Sequence, residues 1–542
     1  MKMEQSSIKR TDGTGTTTFT HYDNDRPQTV DGPLADNALT YSYNALGHLT
    51  SRAPQAGQAI SYSYDYDAGF DDIDLGRLKS ITTGTNTFTY DYSGVNPLIQ
   101  KLTRPNGSYT DYEYNDPLKR LTALINKAST GNLINSFAYT YDKDLIKTET
   151  VTNGSIIDNF LEKATSYQPN AVNQLLSATT SPDPAKVYAY DNDGNMTTGY
   201  TPEGYALYMT YDAQNRMKTA EYTDGTGKVN LFEYAYAGTS LLDQLVKKEN
   251  GTPVSTTKYL RAGFLPVQER DGSNASTREY TWGKNLGGGI GGLLNLKQGG
   301  QDYSYLYDGK GNVSALIDST QAVVASYAYD PFGMLMKDTS LQGFDQPYKF
   351  STKEQIPGTG LINYPYRIYD SCSGKWTTRD PFEEYGGLNL YQFNNNSAMN
   401  WIDPSGLNPT AGAGAVVGGT VGGPPGAIIG AGVGFIGGII FGDWLWDNVI
   451  GPMFNKEEKG KACPKKGTRT GDLPARAEPG STGVKDYGKG KGQIRDYGSD
   501  GRAETDYDFG HDHTGSGDPH AHDWDWSKNP PRQKPRPIKP GE

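Results

Sequence analysis

A chain of 542 residues is long enough for two to four domains around a sizeable interior. Only 35% of it is hydrophobic, yet 39 tyrosines stand against 16 phenylalanines beside 67 glycines, which argues against disorder throughout and for a mainly β protein rich in tight turns. Two cysteines exclude a disulfide framework, the polar residues 1–10 lack the apolar core of a Sec signal, and the net charge of −11 makes a poor nucleic-acid surface. All of that charge lies in residues 1–407, with 34 Lys+Arg against 45 Asp+Glu, whereas 408–542 holds 17 of each.

The first 340 residues repeat one grammar every twenty-odd positions: aromatic, spacer, Tyr, Asp or Asn, a short turn, then apolar residues. Tyr41-Ser-Tyr43-Asn44, Tyr62-Ser-Tyr64-Asp65, Phe88-Thr-Tyr90-Asp91, Tyr188-Ala-Tyr190-Asp191 and Tyr327-Ala-Tyr329-Asp330 are examples. Alternation places both rings on one strand face, Asp opens the turn, and a glycine such as Gly194 or Gly311 supplies its positive φ. Each unit is a hairpin unable to bury its aromatic face alone, so stacking into a spiralling sheet is expected; propeller blades would need about 40 residues each. The pattern resembles the YD repeats of rearrangement-hot-spot (Rhs) proteins and the related toxin-complex C components. That resemblance implies a β shell enclosing a C-terminal toxin.

Residues 365–407 carry Arg367-Ile-Tyr-Asp370, Gly374-Lys-Trp376, Arg379-Asp380-Pro381, Gly387-Leu388-Asn389-Leu390-Tyr391, Asn394-Asn-Asn396 and Asp403-Pro-Ser-Gly-Leu407. This order resembles the Rhs repeat-associated core domain, with Ile368, Ser371, Lys375 and Ser397 as mild departures. The resemblance implies a plug acting as an intramolecular aspartyl protease, with Asp380 and Asp403 as its carboxylates, Arg367 as the matching basic residue and Leu407-Asn408 as the bond cut. Two carboxylates sharing one proton can activate water and polarise a carbonyl. The plainer reading is that each Asp-Pro caps a turn.

From Pro404 to Gly442 no charged residue occurs over 39 positions, and glycines recur every fourth residue from Gly422 to Gly442. Such spacing makes a small-residue stripe on an apolar helix, and Trp444 and Trp446 would sit at a membrane interface. A segment 425–446 in transient contact with a membrane is expected, against a mobile glycine linker.

The tail gathers four of the six histidines within twelve residues: His511, His513, His520 and His522, interleaved with Asp512 and Asp523. One reading is a divalent metal site, zinc or similar, formed by the four histidines with Asp512 or Asp523. A second makes the histidines general base and acid for RNA cleavage, with Arg495, Arg502 or Arg532 stabilising phosphorane charge. A third is a solvated His-rich strand pair without catalysis.

The expected organisation is a shell over 1–350, a core-associated autoprotease over 351–407 with no cofactor, an apolar translocation segment over 408–451, a linker over 452–484 and an effector over 485–542. The resemblance implies a polymorphic toxin of bacterial competition, made without a Sec signal and exported or displayed at the surface. Its implied partners are a cognate immunity protein, a secretion machinery such as type VI, an RNA or DNA substrate and the target-cell membrane. The rival is a non-enzymatic surface protein whose YD repeats bind carbohydrate or neighbours.

Overall fold

The computed structural model describes residues 7–9, 16–24, 26–65, 76–94, 98–143, 145–154, 164–236, 241–383, 387–407, 482–488, 491–497, 502–509, 520–523 and 536–537. The chain divides into two compact units, Met1–Asn455 and Lys456–Glu542. In the first, three meanders follow one another: thirteen strands from Ser7–Lys9 to Leu145–Thr152, three from Thr165–Pro169 to Lys186–Val187, and fourteen from Ala189–Tyr190 to Leu335–Asp338. Every strand pairs antiparallel with its neighbour in sequence, as the stacked-hairpin reading requires.

The repeat grammar has a physical account at each position. The first aromatic is core: Tyr41, Tyr62, Phe88, Tyr188, Tyr305 and Tyr327 are all buried. The second reaches back with its hydroxyl to a backbone carbonyl one hairpin earlier, Tyr64 to Leu49 at 2.9 Å, Tyr211 to Met196 at 2.8 Å and Tyr307 to Leu293 at 2.6 Å. Phenylalanine could not make that bond, which explains the tyrosine excess. The following Asp closes the turn: Asp308 Oδ1 accepts from Lys310 N at 2.8 Å and Asn312 N at 2.9 Å, and Gly311 takes φ 77°. At Tyr43, Tyr64, Tyr211, Tyr307 and Tyr329 the register slips at the second aromatic, a bulge that adds twist and curls the sheet.

The first and third sheets face each other. Leu39, Tyr62, Phe88 and Leu102 of one share a core with Tyr280, Leu293, Leu296 and Tyr305 of the other. Polar ties cross the seam: Arg270 Nη1 donates to Ala35 O at 2.7 Å and Gln268 Nε2 to Ala56 O at 3.0 Å.

The core-associated segment forms a four-stranded sheet, Glu354–Gln355, Leu361–Asn363, Ile368–Asp370 and Lys375–Trp376. An aromatic knot holds it, with Tyr369 stacked on Phe393 at 4.0 Å and Tyr364 edge-on to Trp376 at 5.0 Å. It is sewn to turns of the third sheet: Met196 N donates to Thr377 O at 2.8 Å, Tyr391 OH to Gly194 O at 2.7 Å and Thr352 Oγ1 to Gly311 O at 2.7 Å.

The second unit carries a five-stranded meander, Thr482–Gly488, Lys491–Tyr497, Ala503–Phe509, His520–Asp523 and Arg536–Pro537. The apolar segment 425–446 lies outside the described residues. Among the described residues no helix is long and apolar enough to cross a membrane.

Candidate functional site

Three residues far apart in the plug's sequence converge on one buried point. Arg367, just before the third plug strand, is 4% exposed, and its guanidinium lies 4.2 Å from the Trp376 ring. Its Nη2 stands 2.9 Å from Asp380 Oδ2 and 3.7 Å from Asp403 Oδ2. Its Nε donates to the Gly406 carbonyl and its Nη1 to Leu390 O at 3.4 Å. One arginine therefore gathers both carboxylates and grips the chain one residue before Leu407.

Turn capping and a carboxylate pair coexist here, because each aspartate divides its oxygens. Asp380 Oδ1 accepts from Phe382 N at 2.9 Å, and Asp403 Oδ1 accepts from the backbone N of Ser405, Gly406 and Leu407 at 3.1, 2.7 and 3.2 Å. The Oδ2 atoms turn to Arg367. Asp403 Oδ2 accepts no hydrogen bond among the described residues, although the side chain is almost wholly buried. Such an oxygen costs about 1–3 kcal/mol or more to hide.

Burial pushes the Asp380 carboxyl up to about 6, Arg367 opposes the rise, and the Asp403 charge adds to it. Burial likewise lowers the Arg367 guanidinium from its ordinary value, with Asp380 and Asp403 pulling it back. A cavity of about 20 Å³, lined in part by Tyr364, Tyr366, Arg367, Thr377 and Thr378, has room for one water. Leu407 is itself buried, and Tyr366 N donates to Ser405 O at 3.1 Å, so the strand leading to the expected cut is held on both sides. Asn408 lies outside the described residues.

Two elements went unnamed by sequence reasoning. Lys353 is buried next to this site, and the turn 287–289 presses on Pro404. Neither carries a local sequence signal, since Lys353 meets Gly288, and Gly288 meets Pro404, only through the fold.

In the tail, His511, Asp512 and His513 lie outside the described residues. His520 stands opposite Asp508 and His522 opposite Asp506 in the strand ladder, with Asp523 opposite Thr505. Arg502 is half-buried just before the strand Ala503–Phe509; Arg495 pairs in register with Asp506, and Arg532 is outside the described residues. Among the described residues no cluster of three metal-ligating side chains occurs.

A sequential meander of Tyr-Asp hairpins closed by an aromatic plug defines a YD-repeat shell protein. A family model described as Teneurin YD-shell matches residues 288–399. The chain is 28% identical over 416 residues to the tRNA3(Ser)-specific nuclease WapA of Bacillus spizizenii, covering 71% of this chain and 16% of that protein. It is 24% identical over 387 residues to double-stranded DNA deaminase toxin A of Burkholderia cenocepacia, covering 67% of this chain and 25% of that protein. The solved TcdB2-TccC3 structure shares the fold, with TM-score 0.53 and 17% identity over 72% of this chain and 24% of that one. In sequence and in fold the chain is thus similar to Rhs/YD-repeat proteins. It spans about one sixth of the first of these relatives' length.

Proposed function

We propose that the chain is an Rhs-type polymorphic toxin whose plug cuts its own backbone after Leu407 and frees residues 408–542 as an effector. The observation that carries this reading is the pair of buried Oδ2 atoms, Asp380 and Asp403, held on one Arg367 guanidinium beside Leu407. In the step, Asp403 takes a proton from water as its oxygen adds to the Leu407 carbonyl carbon, and Asp380, the group pushed toward protonation, donates to the carbonyl oxygen. The C–N bond then breaks as the proton on Asp403 passes to the Asn408 nitrogen, one hydroxyl of the gem-diol returns its proton to Asp380, and a new carboxyl group remains on Leu407. Arg367 holds the Gly406 carbonyl so that the neighbouring peptide is presented to the pair.

Each of the two curated relatives is similar to most of this chain, yet their names carry different activities on nucleic acid. That contrast supports a shared container with an exchangeable effector. For this tail we favour nuclease action on RNA through the histidines and Arg502, with metal-dependent phosphodiester cleavage as the second mechanism. A cognate immunity protein, export machinery and transient membrane contact through 425–446 belong to the same reading.

Intact-mass measurement of the expressed chain should give fragments of 407 and 135 residues. A wild-type chain that stays whole overturns the autoproteolysis. The released tail, incubated with tRNA, other RNA and DNA with and without chelator, should cut RNA; inertness toward all of them overturns the nuclease assignment.

A further inference from the structure

Lys353 is 5% exposed, and its Nζ donates to the carbonyl of Gly288. Gly288 sits in a turn where Gly287, Gly288 and Gly289 all take positive φ, at 112°, 54° and 90°. Pro404, the residue after Asp403, lies directly against that turn. A methyl group on Gly288 would fall 2.0 Å from the Pro404 carbonyl oxygen, and one on Gly287 would fall 3.0 Å from Pro404 Cγ. On its other side the Lys353 ammonium lies 5.3 Å from the centre of the Tyr364 ring, whose Cβ would be 3.1 Å from a methyl on Gly406. One ammonium thus touches both walls of the slot that holds the loop from Asp403 to Leu407.

Burying an ammonium costs several kcal/mol unless its charge is answered. Burial pushes Lys353 down to about 7, and the Asp403 carboxylate is the charge that draws it back. Arg261, Tyr348 and Glu354 line the same cavity of about 30 Å³. An apolar side chain of equal length would fill this space at lower cost, so packing alone does not account for a lysine here.

We propose that Lys353 is a positioning residue for the cut after Leu407: its ammonium clamps the glycine turn 287–289 onto Pro404 and so holds Asp403 in reach of Asp380. This rests on the autoproteolysis proposed above. Lys353 reaches the reacting atoms only through Gly288, Pro404 and Asp403, so it acts on their placement, where an error of about 1 Å can cost 10²-fold in rate.

The test follows cleavage of the full chain during cell-free synthesis, by intact mass over time. Wild type should cut; if it does not, the autoproteolysis fails and Lys353 is not at issue. With wild type cutting, Lys353→Met should slow the cut at least tenfold and Lys353→Arg should restore it to within a few-fold. In the uncut Asp380→Asn background, Lys353→Met should melt no lower than its parent, an outcome that a purely structural lysine would not give. Gly288→Ala, which leaves the lysine in place but drives a methyl into Pro404, should also slow the cut at least tenfold. Wild-type rates in Lys353→Met, or a slower cut accompanied by a lower melting temperature, overturn the proposal. Should Lys353→Met fail to fold, Gly288→Ala cutting at the wild-type rate overturns it as well.

Discussion

The repeats and the plug use the same aspartate for different ends. In the repeats, Asp212 Oδ1 accepts from Gln214 N and Arg216 N at 2.8 and 3.0 Å, while Oδ2 pairs with Arg216 at 2.7 Å in a half-exposed salt bridge. Asp308 also uses both oxygens, its Oδ2 accepting from Asn312 Nδ2 at 2.7 Å. In the plug, Asp403 caps its turn in the same way with Oδ1, but its Oδ2 is buried 3.7 Å from a shared guanidinium with no donor of its own among the described residues. Capping is thus common to shell and plug, and what separates Asp403 from Asp212 and Asp308 is the second oxygen. In the proposed cut, that oxygen is the one that takes a proton from water.

Removing that second oxygen should break the contrast most sharply. Asp403→Asn keeps an amide oxygen for the cap, so the plug should fold, yet cleavage should fall by about 10²-fold or more, read as intact chain by mass. The next effect is on pH. Asp380 must be protonated to donate and is pushed up to about 6, so initial cleavage rates should drop roughly tenfold per pH unit above that value.

The same raised value sets the sign for stability, since the folded state holds the proton more tightly than the unfolded one. Its contribution is full below pH 3.8 and is lost as pH rises through about 6. Asp370, also pushed up to about 6 by burial, acts in the same direction. Urea midpoints of the Asp403→Asn chain should therefore correspond to a loss of about 2 kcal/mol from Asp370 and up to as much again from Asp380 between pH 4 and pH 7. A smaller loss should follow Tyr307→Phe, which deletes a buried donor to Leu293 O; about 1 kcal/mol by urea denaturation is expected, with cleavage unchanged. Smallest of all, Asp212→Asn should change stability by less than about 1 kcal/mol, because its pair with Arg216 is half-exposed.

The hairpin order was legible because alternation, Asp and Gly act within a few residues of one another. The bulge at second tyrosines such as Tyr64, Tyr211 and Tyr307 was not, since a register slip leaves no mark in composition; it shows only once Tyr307 is seen reaching Leu293. Asp380, Asp403 and Arg367 could be named through their resemblance to a known motif, but their oxygens could not be apportioned from it. Lys353 was invisible for a plainer reason: its partner Gly288 lies 65 residues earlier, in an unremarkable glycine run.

The meander also sets an order of events. Every ladder in the first three sheets joins strands that follow each other in the chain, so hairpins can close one upon another as synthesis proceeds, each at the small entropic cost of a short loop. The plug's fastenings are of another kind: Tyr391 reaches Gly194 across 197 residues, and Ile146 N reaches Asn400 Oδ1 across 254. Those closures need partners already in place. On the proposed reading, the cut after Leu407 therefore waits for the repeats to assemble, and its onset would act as a clock that starts when folding ends.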